Sequence, residues 1–384
     1  MKNEKLNIVI CGGGRTGHLS AVLFKQRPNV KVSLLTENLL LVKHFQKNGG
    51  EIKAIRPEGS ILTARPDVVS CQVEETLKDA DMVIITVPAH IRPDLLKKIA
   101  PHLPSHKTVF VGAIPGFCGF DWLAEKVLNQ RPNVVIWGMK DVPHIAFDLC
   151  LGEWIRMGGA KNHLYIACHQ RESLEAHATL LAYLQSLYGM PIEILPNYLA
   201  ITLTPGNPIM HSSVIYGHIG PYGQRHKTHF SSLLCWWEDC PELAAYFLQR
   251  SDEENQLLCR AIEKILRIDL SSVHPLLEEI REAYAEQIIE NHTLLSVLRT
   301  NQAYRRIPLP LIPVDQKGYV FDKTHRAFHE DVNYGLSLLV AMAKRLNLDL
   351  PYIEKIYSWI RDDMGSFSSC QSALDYFPEY WPNG

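Results

Sequence analysis

The chain has 384 residues, enough for two or three ordinary domains and for a core that needs no metal or disulfide staple. An apolar fraction of 46% with 21% charged residues is that of a soluble globular protein, and a formal net charge of −2 gives no electrostatic reason to expect nucleic acid or an anionic membrane as partner. The opening MKNEKLNIVICGGG runs from a short apolar stretch into glycines, unlike a signal peptide, no 18-residue apolar span occurs, and nine cysteines, an odd number, are spaced unlike a zinc knuckle, all of which points to reduced thiols in the cytoplasm.

A strand at 7–11, continuously apolar after Asn7, a glycine turn, a helix at 16–26 and the strand VKVSLL at 30–35 open the chain. Gly12, Gly14 and Gly17 spell G-x-G-x-x-G directly after a strand and at the start of a helix. In that frame the first glycine permits the tight turn, the second lets a pyrophosphate approach the backbone, and the third packs helix on strand. The helix N-terminus supplies N–H groups and a favourable dipole for the phosphate. Arg15 and Thr16 lie inside this loop; Arg15 reaches adenine or phosphate, or is simply solvated. The alternative is a glycine-rich turn with no ligand.

The second strand runs into LLTEN, where Thr36 and Glu37 are expected at the ribose. Glu37 stands twenty residues after Gly17, where an acid bonds the 2′-hydroxyl of NAD and repels the 2′-phosphate of NADP. NADH is the expected cofactor, with NADPH as the alternative because Lys43 and His44 are close enough in sequence to swing in.

ADMVIITVPA (80–89), KTVFVGAIPG (107–116) and NVVIWGM (133–139) read as further buried strands, with a helix near 94–102. Alternating strands and helices imply an α/β fold with a mostly parallel, doubly wound sheet of the Rossmann type. Ligands sit at the carboxyl ends of such strands, at the topological switch point. Val87 and Pro88 of TVPAH are therefore expected beside the nicotinamide, and Gly116 of IPGFCGFDW in the same crevice. LYIAC (164–168) adds a strand and 171–188 a helix.

After PIEILPNYLAITLTPGNPIMH strand candidates stop, and helical periods dominate at 240–268, 272–299, 331–347 and 351–362. The boundary is placed at 196, giving a dinucleotide-binding domain over 1–196 and an all-helical second domain over 197–384. The proline-interrupted stretch 305–323 reads as an ordered connector. His211 opens the helical domain. A lone histidine is more often a satisfied structural residue, but hydride chemistry that moves a proton needs an acid–base group, and histidine titrates in the useful range. The loose series His211, His218, His226, His229 lacks the tight pairing and carboxylate of a zinc site, so no metal is expected. HRAFHEDVNYGL then sets Arg326, Glu330 and Asp331 before an apolar run. Asp331 reads either as a helix N-cap in a dipole-favoured acidic turn, or with Arg326 as half of an active site.

CGGGRTGH, TVPA, NPIMHSSVIYGH, NQAYRRI and HRAFHEDVNYGLSLLVAMAKRLNLDLP together resemble the opine dehydrogenases of the octopine and nopaline type, over residues 6–365. The R-x-(F/L)-x-E-D-(V/I)-x-x-G signature with an upstream histidine is far more specific than the glycine loop. The resemblance implies a Rossmann domain followed by a helical one, and NADH- or NADPH-dependent reductive condensation of an amino acid with a 2-oxo acid such as pyruvate. It implies catalytic roles for His211 and its partner acid Asp331, and a substrate-carboxylate role for Arg326, whose bidentate fork lysine could not match. GMKDVPHIAF departs from the family pattern with Lys140, Asp141 and His144 in place of uncharged residues; it is expected to border the 2-oxo acid, with His144 as a substrate contact beside Gly116. Trp236, Trp237 and Glu238 read as contacts to the amine or, more simply, as core aromatics. A monomer or a homodimer fits. Two other readings stay open: a 2-hydroxy-acid or ketopantoate-type reductase, which usually employs lysine, and a non-catalytic NAD-binding redox sensor, which needs no contact between His211 and Asp331.

Overall fold

The computed structural model describes residues 5–47, 49–223, 229–314, 318–365 and 371–383. It divides into two units, Met1–Thr202 and Leu203–Gly384.

The first unit is built on β1 (Leu6–Cys11), α1 (Arg15–Lys25), β2 (Val30–Leu35), α2 (Leu39–Lys47), β3 (Ile52–Ile55), β4 (Ile61–Ala64), β5 (Val68–Ser70), α3 (Val73–Leu77), β6 (Met82–Ile85), α4 (Arg92–Ile99), β7 (Val109–Ala113), α5 (Phe120–Leu128), β8 (Val134–Met139), β9 (His144–Cys150), β10 (Trp154–Ala160), β11 (Leu164–Cys168), α6 (Leu174–Tyr188) and β12 (Ile192–Ile194). Its main sheet has the order β12-β11-β8-β7-β6-β1-β2-β5. Pairing is parallel except between β11 and β8. The order reverses direction between β1 and β6, which is the switch point where a doubly wound sheet holds ligands. Ile8, Val9, Ile10 and Cys11 are all buried, as are Met82 to Ile85. That is why these strands read as unbroken apolar runs: both of their faces are covered.

A second sheet, β4-β3-β10-β9, was not legible in the sequence. Its strands are short or partly exposed, and β9 and β10 are mostly half-buried, so they carry neither a clean alternation nor a continuous apolar run. This sheet explains α1. Phe24 and Ala21 pack into the core of the main sheet, while Leu19 and Val22 join Ile52, Ala54, Ala64 and Ile155 of the small one. A helix apolar on nearly all sides is a buried helix.

The chain passes from one unit to the other within α7 (Leu199–Leu203). The second unit contains α8 (Asn207–Ile219), α9 (Glu242–Leu266), α10 (Leu276–Tyr284), α11 (Leu294–Thr300), β13 (Leu311–Val314), β14 (Gly318–Phe321), α12 (Arg326–Phe328), a π-helical segment (His329–Leu336), α13 (Ser337–Arg345) and α14 (Pro351–Met364). Every residue from Pro208 to His218 is buried, which makes α8 the central rod. Gly217 of α8 meets α9 closely: a Cβ there would stand 2.4 Å from the Ala244 Cα. The long helix α9 organises its surroundings through three acids. Asp252 accepts from the N–H of Leu276 at the start of α10, Glu254 from Tyr352 and Ile353 at the start of α14, and Glu263 from Leu270. Each satisfies helix-end or loop donors that would otherwise be stranded.

Three expectations need correction here. The second unit is not purely helical: the proline-interrupted connector forms the antiparallel pair β13–β14. The helix expected over 272–299 breaks into α10 and α11, with Ala285–Gln287 as a single tight turn between them. Asp331 is not an N-cap. The cap of α12 is His325, which accepts from the Ala327 N–H, and Asp331 lies inside the π-helical segment. No described helix is long and apolar enough to cross a membrane.

Candidate active site

In the first unit the glycine loop sits at the carboxyl end of β1. Gly12 has φ +134°, and a Cβ there would lie 2.5 Å from the Thr86 hydroxyl; a Cβ on Gly17 would lie 1.8 Å from the Gly12 carbonyl oxygen. Around Gly14 nothing stands within 4 Å of where a Cβ would be. No side chain caps α1 and no acid occupies its first turn, where Arg15 and Thr16 lie. Two glycines thus close the turn and the middle one faces open space beside uncapped helix N–H groups, which fits a dinucleotide pyrophosphate.

The structure brings Val87 and Thr36 of the other expected cofactor residues to this loop. Thr86 donates to the Cys11 carbonyl, Val87 borders Gly12, and Pro88 follows at the carboxyl end of β6. Thr36 ends β2 against Gly13, but its hydroxyl is occupied in accepting from the Asn38 N–H. Glu37 is highly exposed and pairs at 3.0 Å with Lys98. Sequence reading missed four residues here. Thr86 ties the glycine loop to β6. Gly13 has no room for a side chain between Leu41 and Thr36. His18 is fully buried, with Nδ1 donating to the Gly14 carbonyl and Nε2 accepting from Gly152; burial outweighs the backbone carbonyls and lowers its pKa, so the ring is neutral. Arg92 is 1% exposed and donates to the carbonyls of Val87, Pro115 and Phe117, fastening the loop after β6 to the loop after β7.

The two other expected substrate contacts in this unit lie in different settings. Gly116 is buried, its N–H donates to Met139 and its carbonyl accepts from the Tyr198 hydroxyl. His144 begins β9 in the small sheet and stacks on Tyr188, with ring centres 6.5 Å apart. Burial lowers its pKa to about 4, leaving a neutral ring. Lys140 lies over the Tyr165 ring, and Asp141 pairs with Lys161.

In the second unit residues 120 positions apart meet: the His211 Nδ1 lies 2.8 Å from the Asp331 Oδ2. A carboxylate only accepts, so the bond assigns the proton to Nδ1 and leaves Nε2 for other partners. The Asp331 side chain is completely buried whereas that of His211 keeps 11% exposure, so the imidazole is the member of the pair that a reactant can reach. Burial raises the Asp331 pKa above its ordinary value, against the pull of the neighbouring His211. Local geometry produces this meeting. A Cβ on Gly335 would stand 2.3 Å from the Pro208 Cβ, so the π-helical segment rests directly on the first turn of α8. π-Helical turns are rare and frequently fall at functional sites.

Arg326 Nη1 donates to Glu330 at 2.7 Å, while its side chain stays 43% exposed. Desolvation opposes the guanidinium charge, but Glu330 and Asp331 outweigh it and raise the pKa further. Trp236 stacks on the His211 ring with centres 4.3 Å apart, and Trp237 stands 5.7 Å away. Glu238 is engaged by the Arg306 N–H and by Arg305. His226 lies outside the described residues; among those described, no group of three or more His, Cys, Asp or Glu is placed to hold a metal ion.

Comparison with known proteins adds the following. Residues 194–364 match the family model "NAD/NADP octopine/nopaline dehydrogenase, alpha-helical domain", and residues 8–111 match "Ketopantoate reductase PanE/ApbA". The chain is 50% identical to "Uncharacterized protein y4xO" of Sinorhizobium fredii, over 98% of this chain and 99% of that protein. It is 23% identical to octopine dehydrogenase of Mizuhopecten yessoensis, over 96% and 92% of the two chains. A solved octopine dehydrogenase, in complex with NADH and agmatine, superposes with a TM-score of 0.80 at 21% identity, over 94% of this chain and 90% of that one.

Proposed function

Since the chain belongs to the opine dehydrogenase family, we propose that it is an NAD(P)H-dependent oxidoreductase that joins the amino group of an amino acid, or a related amine, to the carbonyl carbon of a 2-oxo acid such as pyruvate. Condensation releases water and leaves an imine; reduction of that imine gives a secondary amine, which is a dicarboxylate when the amine partner is an amino acid. The observation that carries this reading is the contact of His211 with the buried Asp331.

When bound, the nicotinamide cofactor supplies the hydride. Gly12, Gly14, Arg15, Thr16 and Gly17 hold its pyrophosphate, with Thr36, Glu37, Val87 and Pro88 around them. Asp331 fixes the His211 ring through Nδ1 and stabilises it when it is positively charged. His211 Nε2 removes a proton from the incoming ammonium group, freeing the amine to attack, and returns a proton as the carbonyl oxygen leaves as water. Arg326, held on one side by Glu330, clamps a substrate carboxylate with its remaining N–H groups. Holding the reactants in line contributes most of the acceleration, up to about 7–11 kcal/mol in favourable cases. Gly116 and His144 are retained as substrate neighbours, although the Gly116 N–H and carbonyl are bonded to Met139 and Tyr198 and the His144 ring stacks on Tyr188.

The match of residues 8–111 to ketopantoate reductases favours a second reading, simple reduction of a 2-oxo acid. The test is NADH oxidation with pyruvate across a panel of amino acids that includes arginine, together with agmatine. Oxidation that requires both substrates supports opine synthesis. Oxidation with the oxo acid alone supports the hydroxy-acid reading, and none with any pair removes the enzymatic reading in favour of a redox sensor.

A further inference from the structure

The His211 ring has two fixed neighbours, Asp331 at its edge and an indole on its face. The Trp236 and His211 planes are inclined by 30° at a separation of 4.3 Å, and Trp237 lies nearly parallel to the same ring at 5.7 Å. Both tryptophans are buried, at 3% and 4% exposure. Trp236 is itself held rigidly. Its backbone N–H donates to the Ile307 carbonyl, the Leu309 backbone N–H donates to the Leu234 carbonyl, and Cys235 pairs with Pro308 in an isolated antiparallel bridge. The turn that follows is locked by the Cys235 N–H on Asp239 and the Arg306 N–H on Glu238.

A single hydrogen bond fixes one atom of an imidazole; it leaves the ring free to rock about that atom. A flat partner on the ring face removes this remaining freedom, because tilting either ring costs the stacked contact. An aromatic face also offers a favourable seat to the positive charge the ring carries after taking a proton. We propose that Trp236 is a positioning residue for His211: it fixes the plane of the imidazole while Asp331 fixes its edge, so that the direction of Nε2 depends on both. The proposal rests on the acid–base role of His211 given above. It takes Trp236 out of the role of core filler and gives the exposed half of the reaction, at Nε2, a support that the family signature does not contain.

The test compares Trp236→Leu with Trp236→Phe. Trp236→Leu is expected to lower kcat about tenfold or more, with the KM for NADH unchanged and thermal melting within a few degrees of wild type. Trp236→Phe restores most of the loss, because it keeps a flat face. Wild-type kcat in Trp236→Leu, or an equal loss in both variants, overturns the proposal. A second measurement does not need turnover: the ring Cε1–H resonance of His211, assigned by its disappearance in His211→Asn, moves downfield in Trp236→Leu as the indole ring current is lost. A resonance that stays in place overturns the stacking role. Should the wild type oxidise NADH with no substrate pair, the function proposed above fails, and this resonance alone decides the present proposal.

Discussion

Gly335 touches Pro208 where the segment carrying Asp331 rests on the helix carrying His211, at a separation that leaves no room for a methyl group. Gly335→Ala is therefore expected to push the two helices apart. Overpacking of this kind costs about 1–3 kcal/mol of stability, and a shift near 1 Å in a catalytic contact lowers rate about a hundredfold. Thermal melting and kcat, measured together, check this; unchanged kcat shows that the pair tolerates the shift.

His211→Ala is expected to remove turnover while NADH affinity, followed by quenching of tryptophan fluorescence, stays nearly unchanged, since the expected cofactor residues lie in the other unit. Asp331→Asn keeps the volume but loses the charge that holds Nδ1–H, and kcat should fall by about 10²–10⁴. Loss of NADH binding in His211→Ala contradicts the assigned role.

Arg326→Lys keeps the charge and removes the fork. The KM of whichever substrate places its carboxylate there should rise about tenfold or more, with a smaller change in kcat. Equal loss in kcat and kcat/KM with KM untouched would show that the guanidinium acts in the transition state instead.

Glu37, which follows β2 and is expected at the ribose, is exposed and paired with Lys98. Glu37→Ala removes the acid and leaves the cation, so the preference should move towards NADPH, with the ratio of kcat/KM for NADPH over NADH rising about tenfold. A ratio that does not change means the ribose lies elsewhere.

Asp252 accepts from the Leu276 N–H through Oδ2, while Oδ1 has no partner among the described residues. Burial, with nearby glutamates, raises its pKa from 3.8 to about 7. A carboxyl that is raised on folding makes the folded state bind more protons between about pH 4 and 7, so this residue lowers stability as pH climbs through that window. Asp252→Asn keeps the acceptor and cannot ionise. The difference in unfolding free energy between variant and wild type should grow in favour of the variant across that window, by on the order of a few kcal/mol. Denaturant melts at pH 4.5 and 7.5 read it directly.

What sequence reading could reach depended on how each residue announces itself. β6, β7, β8 and the latter part of β1 were legible because burial on both faces leaves an uninterrupted apolar run, β2 from its place after the glycine loop and helix, and the glycine loop because Gly12 and Gly17 answer a steric demand that no other residue meets. β3, β4, β9 and β10 escaped because half-buried strands share their composition with loops. Arg92 escaped because an arginine bonded only to carbonyls has no partner visible in sequence. Trp236 and Trp237 read as core, and burial alone bears that out; their place on the His211 ring is a tertiary fact that no local pattern encodes. Asp331 read locally as a cap, and only the family signature pointed to His211. The final glycine of that signature falls on Gly335, whose contact with Pro208 gives it a steric meaning the pattern by itself did not carry.

The eight-residue wide-turned stretch from His329 to Leu336 implies a slack of one residue in register. Such a turn holds about one residue more than a regular helical one. Deleting a single amino acid between Val332 and Leu336 would let the backbone relax into ordinary winding, continuous with α13. Everything upstream would then keep roughly its phase around the axis, because the wide turn is what absorbs the extra residue, and would move by only one residue's rise of ~1.5 Å. Such a deletant should fold, and the activity it keeps reads how far the contact of His211 with Asp331 depends on the wide turn itself.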